Sequence, residues 1–530
     1  VAGTIAPGRA RSVVSPTVNP TPILLGALVL CGALLAGAVP AAPAAAAEAP
    51  APAAVDRYLT ESLRAAGLPG AVVAITRGDE VLHTAGYGRD SAGAPLSAGS
   101  PVAIASLSKS FTALAVAMLA EEGRLDLDAP VREYLPEFRT ADPRSDRITA
   151  RMLLTHTSGL SDSVFPEMSR EQPADLRGAV ARLAEVRLSA DPGSTWSYHN
   201  PNYHVAARLV EAVSGRPFAD HLSERVFGPA GMTATATRDS AAERPYGLPD
   251  GYAPVFGAMV ARPALDHFVN GSGGIVSTAE DLARWLIVQS NGGVAADGTR
   301  VVSAAALAAT RETVPAGGDY ALGWDLDTDG ERVLRVHHGG TMFSASAEQV
   351  LLPADGDGGG ADYGVAIAFN SASATGAEQL AIAEGLVELV RGGSPEPPAP
   401  VSAITDAVLA ALCAATVLLG VVRVRRAPAW ARRRARRGRA LIALGLAPRL
   451  VPIALFLGLP ALAGLLLGGR DVTWPTILYS WPALAAWAGL AAAASAWMLA
   501  ARLRAWARAR RAGGARPPEP RPIDATRQLP

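Results

Sequence analysis

Lysine is almost absent from this chain: it occurs once in 530 residues, as Lys109, against forty-seven arginines. Arginine stays protonated in proteins, whereas a desolvated lysine can lose its proton. Lys109 is therefore a candidate base, and not only a charge. Cysteine is nearly absent too. Cys31 and Cys413 each sit in an apolar run, so no disulfide can form within residues 50–400, which must hold together by their core. Acidic residues are missing from the first 47 positions and scarce at the other end, where residues 401–530 carry 19 arginines against 4 acids. The zero net charge thus conceals a −15 portion, 1–400, followed by a +15 portion.

The acid-free beginning has Arg9 and Arg11, an apolar run from Ile23 to Val39 and a small-residue stretch from Ala41 to Ala47. That order predicts a secretory signal over 1–49, with an uncleaved N-terminal anchor as the competing reading. Either one carries residues 50–400 out of the cytoplasm. At the basic end, three apolar stretches, Ala403–Val422, Leu441–Gly468 and Pro475–Ala501, approach or exceed the length that crosses a bilayer. Nine arginines lie between the first two, five follow the third within residues 502–511, and the short Gly469–Thr473 connection holds only Arg470 and Asp471. The positive-inside rule places the arginine-rich segments in the cytoplasm, which suits an exported domain ahead of the first span. An arginine run can also bind nucleic acid, but one flanked by hydrophobic spans reads as topology control, and no nucleic-acid partner is expected. The expected organisation is a folded domain over 50–390, a Pro- and Gly-rich linker at 391–401, a membrane domain over 402–511, and a disordered cytoplasmic tail at 512–530.

Within 50–390, Ala71–Thr76 and Glu80–Ala85 flank Arg77-Gly78-Asp79 as a hairpin, and Gln349–Leu352 with Tyr363–Phe369 form strands around a low-complexity turn. Helical patterns fill the middle, including 201–214 and 279–289, the latter with Ser277 and Glu280 as a capping box. Strands at both ends and helices between them predict an α+β domain whose antiparallel sheet joins N- and C-terminal strands around a large helical insert.

Three motifs carry chemistry. Ser106 stands three residues before Lys109, on one helical face, where a neutral amine could take the serine proton. Tyr198 and Asn200, two apart on an extended segment, pair a phenol that shuttles protons with an amide that binds a carbonyl or orients the lysine; Asn200 also suits a helix cap before Pro201. In His337-His338-Gly339-Gly340-Thr341 the glycines permit close backbone approach, His338 could present a donor, and an amide near Thr341 could join that of Ser106 in an oxyanion hole. The paired histidines lack a carboxylate or cysteine at ligand spacing, so no metal is expected, and no other cofactor.

With these motifs, the chain resembles the serine β-lactamases and penicillin-binding proteins, specifically the class C β-lactamase-like branch with its esterases and D-amino-acid peptidases. The resemblance covers about Val55 to Val390 and includes Arg151–Leu160, Gly271–Thr278 followed by Asp281-Leu282, and Tyr320–Trp324. It implies acyl transfer through a covalent intermediate. Ser106 would attack, Lys109 would hold or accept its proton, Tyr198 would relay a proton to the leaving group and later activate water, and Asn200 would bind the acyl side. His338, Gly340 and Thr341 would complete the substrate and oxyanion side, and His156 would be structural. Where β-lactamases have Lys-Thr-Gly, this chain has His338-Gly339-Gly340. The loss of that cation and hydroxyl, which would grip a substrate carboxylate, favours esters, amides or D-peptides, cell-wall-derived ones among them. The expectation is a membrane-tethered extracytoplasmic serine hydrolase. The competing reading is a receptor or envelope protein that binds peptidoglycan fragments or β-lactams without turnover.

Overall fold

The computed structural model describes residues 49–354, 362–373 and 375–513; nearly all of the expected signal segment and of the expected cytoplasmic tail lies outside them. The strands in chain order are β1 (Gly70–Arg77), β2 (Glu80–Gly88), β3 (Val102–Ala103), β4 (Gly251–Val255), β5 (Ala258–Arg262), β6 (Val276–Ser277), β7 (Asp325–Asp329), β8 (Arg332–Met342), β9 (Ala345–Leu352) and β10 (Tyr363–Phe369). Six of them make one antiparallel sheet in the order β2-β1-β10-β9-β8-β7. As expected, the first and last strands are neighbours, with Ala71 opposite Phe369 and Arg77 opposite Tyr363.

Side-chain alternation sends the two faces of this sheet into separate cores. Val73, Ile75, Val365 and Ile367 pack with helix α1 (Pro52–Ala66) and the C-terminal helix of the domain, Ala377–Val390. Val72 and the small residues Ala74, Ala347, Ala366 and Ala368 face the helical insert. The insert contributes α2 (Ser108–Glu121), α3 (Pro201–Ser214) and α4 (Ala279–Ser290). Helix α2 is buried continuously from Ser108 to Leu119, so polar Ser108, Lys109, Ser110 and Thr112 enter an apolar interior. Phe111 fixes its depth: its ring stacks on Trp285 of α4 at 3.7 Å and meets Phe227 edge-on at 5.9 Å.

Two helix caps differ from expectation. The cap of α4 is Thr278, whose hydroxyl accepts from the Asp281 N–H at 3.2 Å. Ser277 ends strand β6 and shares its hydroxyl with Thr235 at 2.8 Å, so the cap falls one residue later than the Ser277–Glu280 pattern suggests. Asn200 stands at the start of α3 with Pro201 next, but its side chain makes no cap.

Three C-terminal helices are long and apolar enough to cross a membrane: Val401–Arg425, Arg439–Leu457 and Pro482–Arg511. The second is interrupted by a tight turn at Ala447–Leu450, which contains Pro448 and Arg449. The third begins seven residues later than expected. Trp474–Ser480 is a separate short helix ended at Trp481 (φ −133°, ψ 51°), as the following proline requires. Tyr479 on that short helix is tied to the sheet domain, donating to the Pro263 carbonyl at 3.0 Å and lying 4.2 Å from the Arg262 guanidinium.

Replacing Phe111 with alanine removes a wholly buried ring that anchors α2 to α4. The variant is expected to lose about 3–5 kcal/mol of stability, read as a clearly lower unfolding midpoint of the detergent-solubilised chain; an unchanged midpoint contradicts this packing role.

Candidate functional site

The Ser106 turn is built under local constraint. Ala105 adopts φ 47°, unusual for a residue with a side chain, and opens the tight turn Ala105–Leu107 ahead of α2. The Ser108 hydroxyl donates to the Ala105 carbonyl at 2.6 Å and accepts from the Ile275 N–H at 3.0 Å. This links the turn to the glycine-rich stretch 271–274. Strand β8 closes the other side. A Cβ on Gly340 would stand 2.8 Å from the Ser106 nitrogen and 2.9 Å from the Ile104 carbonyl oxygen, so only glycine lets the strand lie here.

Lys109 is fully buried, with Nζ 3.1 Å from Ser106 Oγ, 3.0 Å from Asn200 Oδ1 and 2.8 Å from the Ser272 carbonyl oxygen. Burial pushes its pKa well below the usual lysine value, the Arg470 charge pushes it further, and Glu167 opposes both. A neutral amine has two N–H groups and one lone pair. The Asn200 oxygen and the Ser272 carbonyl can only accept, so they take the two N–H groups and leave the lone pair facing Ser106 Oγ. The Asn200 amide cannot flip without loss, because its Nδ2 donates to Glu167 Oε1 at 2.6 Å. Tyr198 completes the arrangement, its hydroxyl donating to Ser106 Oγ at 3.0 Å. Burial pushes the Tyr198 phenol up to about 12, so it holds its proton at neutral pH.

The other expected residues lie nearby in different states. His338 has both ring nitrogens occupied within the protein: Nδ1 lies 2.6 Å from the Gly339 carbonyl, which only accepts, so Nε2 receives the Tyr320 hydroxyl at 3.0 Å. Burial, reinforced by Lys109, lowers its pKa to about 3. This neutral imidazole therefore has no free donor to present, contrary to the expectation. Thr341 is exposed and points away from the face shared by His338 and Gly340. His156 is enclosed, accepts on Nδ1 from the His199 N–H and Asn202 Nδ2, each at 3.2 Å, and packs 4.4 Å from the Tyr198 ring. It supports the phenol and reaches no open surface.

Behind these residues lies a layer of charge that the sequence pattern does not announce. Asp162 Oδ1 lies 2.6 Å from His199 Nδ1, and Arg470 Nε lies 2.8 Å from Asp162 Oδ2. Burial raises the Glu167 carboxyl above its ordinary pKa. Burial also opposes ionisation of Asp162, but His199 and Arg470 outweigh it and hold that carboxyl below its usual value. No spacing marks Asp162 or Glu167. The signal for Arg470 was its isolation as the one cation of the 469–473 connection.

A family model described as Beta-lactamase matches residues 55–388. The chain is 36% identical over 194 residues to Esterase EstB of Burkholderia gladioli, covering 34% of this chain and 49% of that protein. It is 31% identical over 272 residues to Penicillin-binding protein 4 of Amycolatopsis lactamdurans, covering 48% and 70%. This chain thus spans between 49% and 70% of the length of the curated relatives it matches. Among solved structures, the octameric penicillin-binding protein homologue from Pyrococcus abyssi is similar in fold, with a TM-score of 0.52 and 24% identity over 65% of this chain and 78% of that one. With the six-stranded antiparallel sheet and the helical insert between its outer strands, the match across most of the folded domain shows that the chain belongs to the beta-lactamase family of serine hydrolases.

Proposed function

We propose that this chain is a membrane-tethered, extracytoplasmic serine hydrolase acting through an acyl-enzyme on an ester, an amide or a D-amino-acid peptide. The observation that carries the reading is Ser106 Oγ held between a buried amine lone pair and a phenolic donor. In the first half-reaction Ser106 Oγ bonds to the acyl carbon, its proton passes to Lys109, and Tyr198 gives its proton to the departing oxygen or nitrogen. In the second, the Tyr198 phenolate takes a proton from water, the resulting hydroxide displaces Ser106 Oγ, and the Lys109 ammonium returns the serine proton. Each group ends as it began. The Ser106 amide and an amide near Thr341 would hold the oxyanion.

The finer substrate assignment rests on His338-Gly339-Gly340. No lysine stands there, and His338 is neutral and engaged with Tyr320, so residues 338–340 present no cation to grip a substrate carboxylate. Esters and uncharged amides fit that chemistry better than β-lactams, in line with the similarity to a protein named an esterase. The tether is supported by the three apolar helices. Sidedness is supported by the clustering of Arg423–Arg439 away from the 469–473 connection, which touches the hydrolase domain.

Ser106→Ala is expected to abolish both ester turnover and labelling by a serine-directed covalent probe in the full chain; persistence of both removes the reading. Lys109→Arg, conservative in charge, is expected to abolish acylation, because a guanidinium offers no lone pair. The pH dependence has a defined sign. Protonated Lys109 cannot accept, so acylation fails at low pH and rises through a midpoint well below 10.5, while Tyr198 keeps its proton to about 12. A burst-phase acylation rate that climbs only near 10.5 would contradict the neutral-amine assignment. Gly340→Ala should slow acylation about 100-fold by pressing on the Ser106 amide, and a normal rate would show that the strand yields. Parallel turnover assays with a short-chain ester, a D-peptide and a chromogenic β-lactam decide the substrate class, and stoichiometric acylation without turnover would favour a receptor.

A further inference from the structure

The connection between the second and third candidate spans reaches into the Ser106 site. Arg470 Nε lies 2.8 Å from Asp162 Oδ2, Nη2 lies 3.7 Å from Glu167 Oε1, and the guanidinium sits 5.1 Å from the centre of the Tyr198 ring. Its neighbour fastens the loop. The Asp471 N–H donates to Asp162 Oδ2 at 2.9 Å, and the Asp471 carboxylate accepts from the Ser169 N–H at 2.7 Å and the Ser169 hydroxyl at 2.8 Å. These contacts join the membrane part of the chain to the segment that carries both buried carboxyls.

The carboxyl pair needs such a partner. The Asp162 and Glu167 side chains are 3% and 8% exposed, and two carboxylates at such depth repel one another and lose hydration. The groups facing them are His199 and the Asp471 N–H on Asp162, Asn200 on Glu167, the Arg182 guanidinium and Gln172 Nε2 on the Glu167 backbone carbonyl, and Arg470. Of these, Arg470 alone sets a permanent charge against both carboxyl groups. Glu167 in turn fixes the Asn200 amide, whose oxygen holds Lys109 beside Ser106.

Resting on the serine-hydrolase reading above, we infer that Arg470 is a positioning residue of the Ser106 site, contributed by the membrane part of the chain: its guanidinium holds Asp162 and Glu167 so that Asn200 keeps Lys109 aimed at Ser106 Oγ. The hydrolase is complete only with its membrane loop docked. A guanidinium suits this place because its planar fork spans two acceptors, which an ammonium cannot do equally.

The test is steady-state and burst kinetics of the full chain in detergent with a chromogenic short-chain ester, comparing the parent, Ser106→Ala, Arg470→Ala and Arg470→Lys. Arg470→Ala is expected to lower kcat and the acylation burst rate about 10- to 100-fold with KM changed less than threefold. Arg470→Lys should recover part of the loss, and millimolar methylguanidinium should recover part of the Arg470→Ala loss, which a general folding defect would not allow. A kcat within twofold of the parent, a raised kcat showing that the loop obstructs the site, an effect on KM alone, or a loss that neither lysine nor methylguanidinium relieves each overturns the inference. Failure of the underlying reading shows separately, as turnover that survives Ser106→Ala.

Discussion

Burial of one amine in an apolar helix is the constraint on which the site depends. Lys109 lies in the fully enclosed part of α2, where a permanent charge is costly and a neutral amine is tolerated only if its hydrogens find acceptors. Two acceptors come from distant segments, the Ser272 carbonyl and Asn200 Oδ1. Each has its own support. Gly271 adopts φ +76° where a side chain would collide with Ala207 and the Tyr203 carbonyl, and its carbonyl accepts from Thr112 at 2.7 Å. Asn200 is held by Glu167. The lone pair left over points to Ser106, so the proposed base follows from satisfying a buried lysine.

That requirement reaches outward through the fold. Phe111, one turn from Ser108 on the same helix, locks α2 against Trp285; the Trp285 N–H donates to Gln349 Oε1 on β9 at 3.1 Å, and Gln349 Nε2 donates to the Ser110 hydroxyl at 3.1 Å. Sheet, α4 and α2 are thereby registered within one residue of Lys109. The small residues on the inner sheet face, Ala347, Ala366 and Ala368, let the helices approach closely enough for these bonds to form.

What was legible in the sequence were the features set by local pattern. Short apolar runs at 71–76 and 363–369, each bounded by turn residues, mark the central strands, and Ser106, Lys109, Tyr198 and Asn200 stood out as motif positions that the fold then brings into contact. Features set by tertiary contact were not legible. Ser277 reads as a cap, but strand pairing uses it and passes the role to Thr278. His338 reads as a free donor until Tyr320, eighteen residues away, occupies its second nitrogen. The apolar run from Pro475 reads as the start of a span, yet Tyr479 is held against the hydrolase domain and Pro482 restarts the helix. Asp162 and Glu167 had no periodicity or spacing to announce them, because their partners come from 33 to more than 300 residues away.

The scarcity of lysine and the abundance of arginine meet in one network. Glu167 brings negative charge close behind Lys109, and left unpaired it would stabilise the ammonium and oppose its use as a base. A lysine at position 470 could answer that charge by sharing or releasing a proton, so its own protonation would become coupled to that of Lys109. Arginine cannot do so at any accessible pH. Arg470 offsets the carboxyls with a charge that does not titrate, and by adding positive potential it lowers the Lys109 pKa further. The division of labour is therefore chemical: the guanidinium carries the permanent charge, and the single amine of the chain is left free to be neutral.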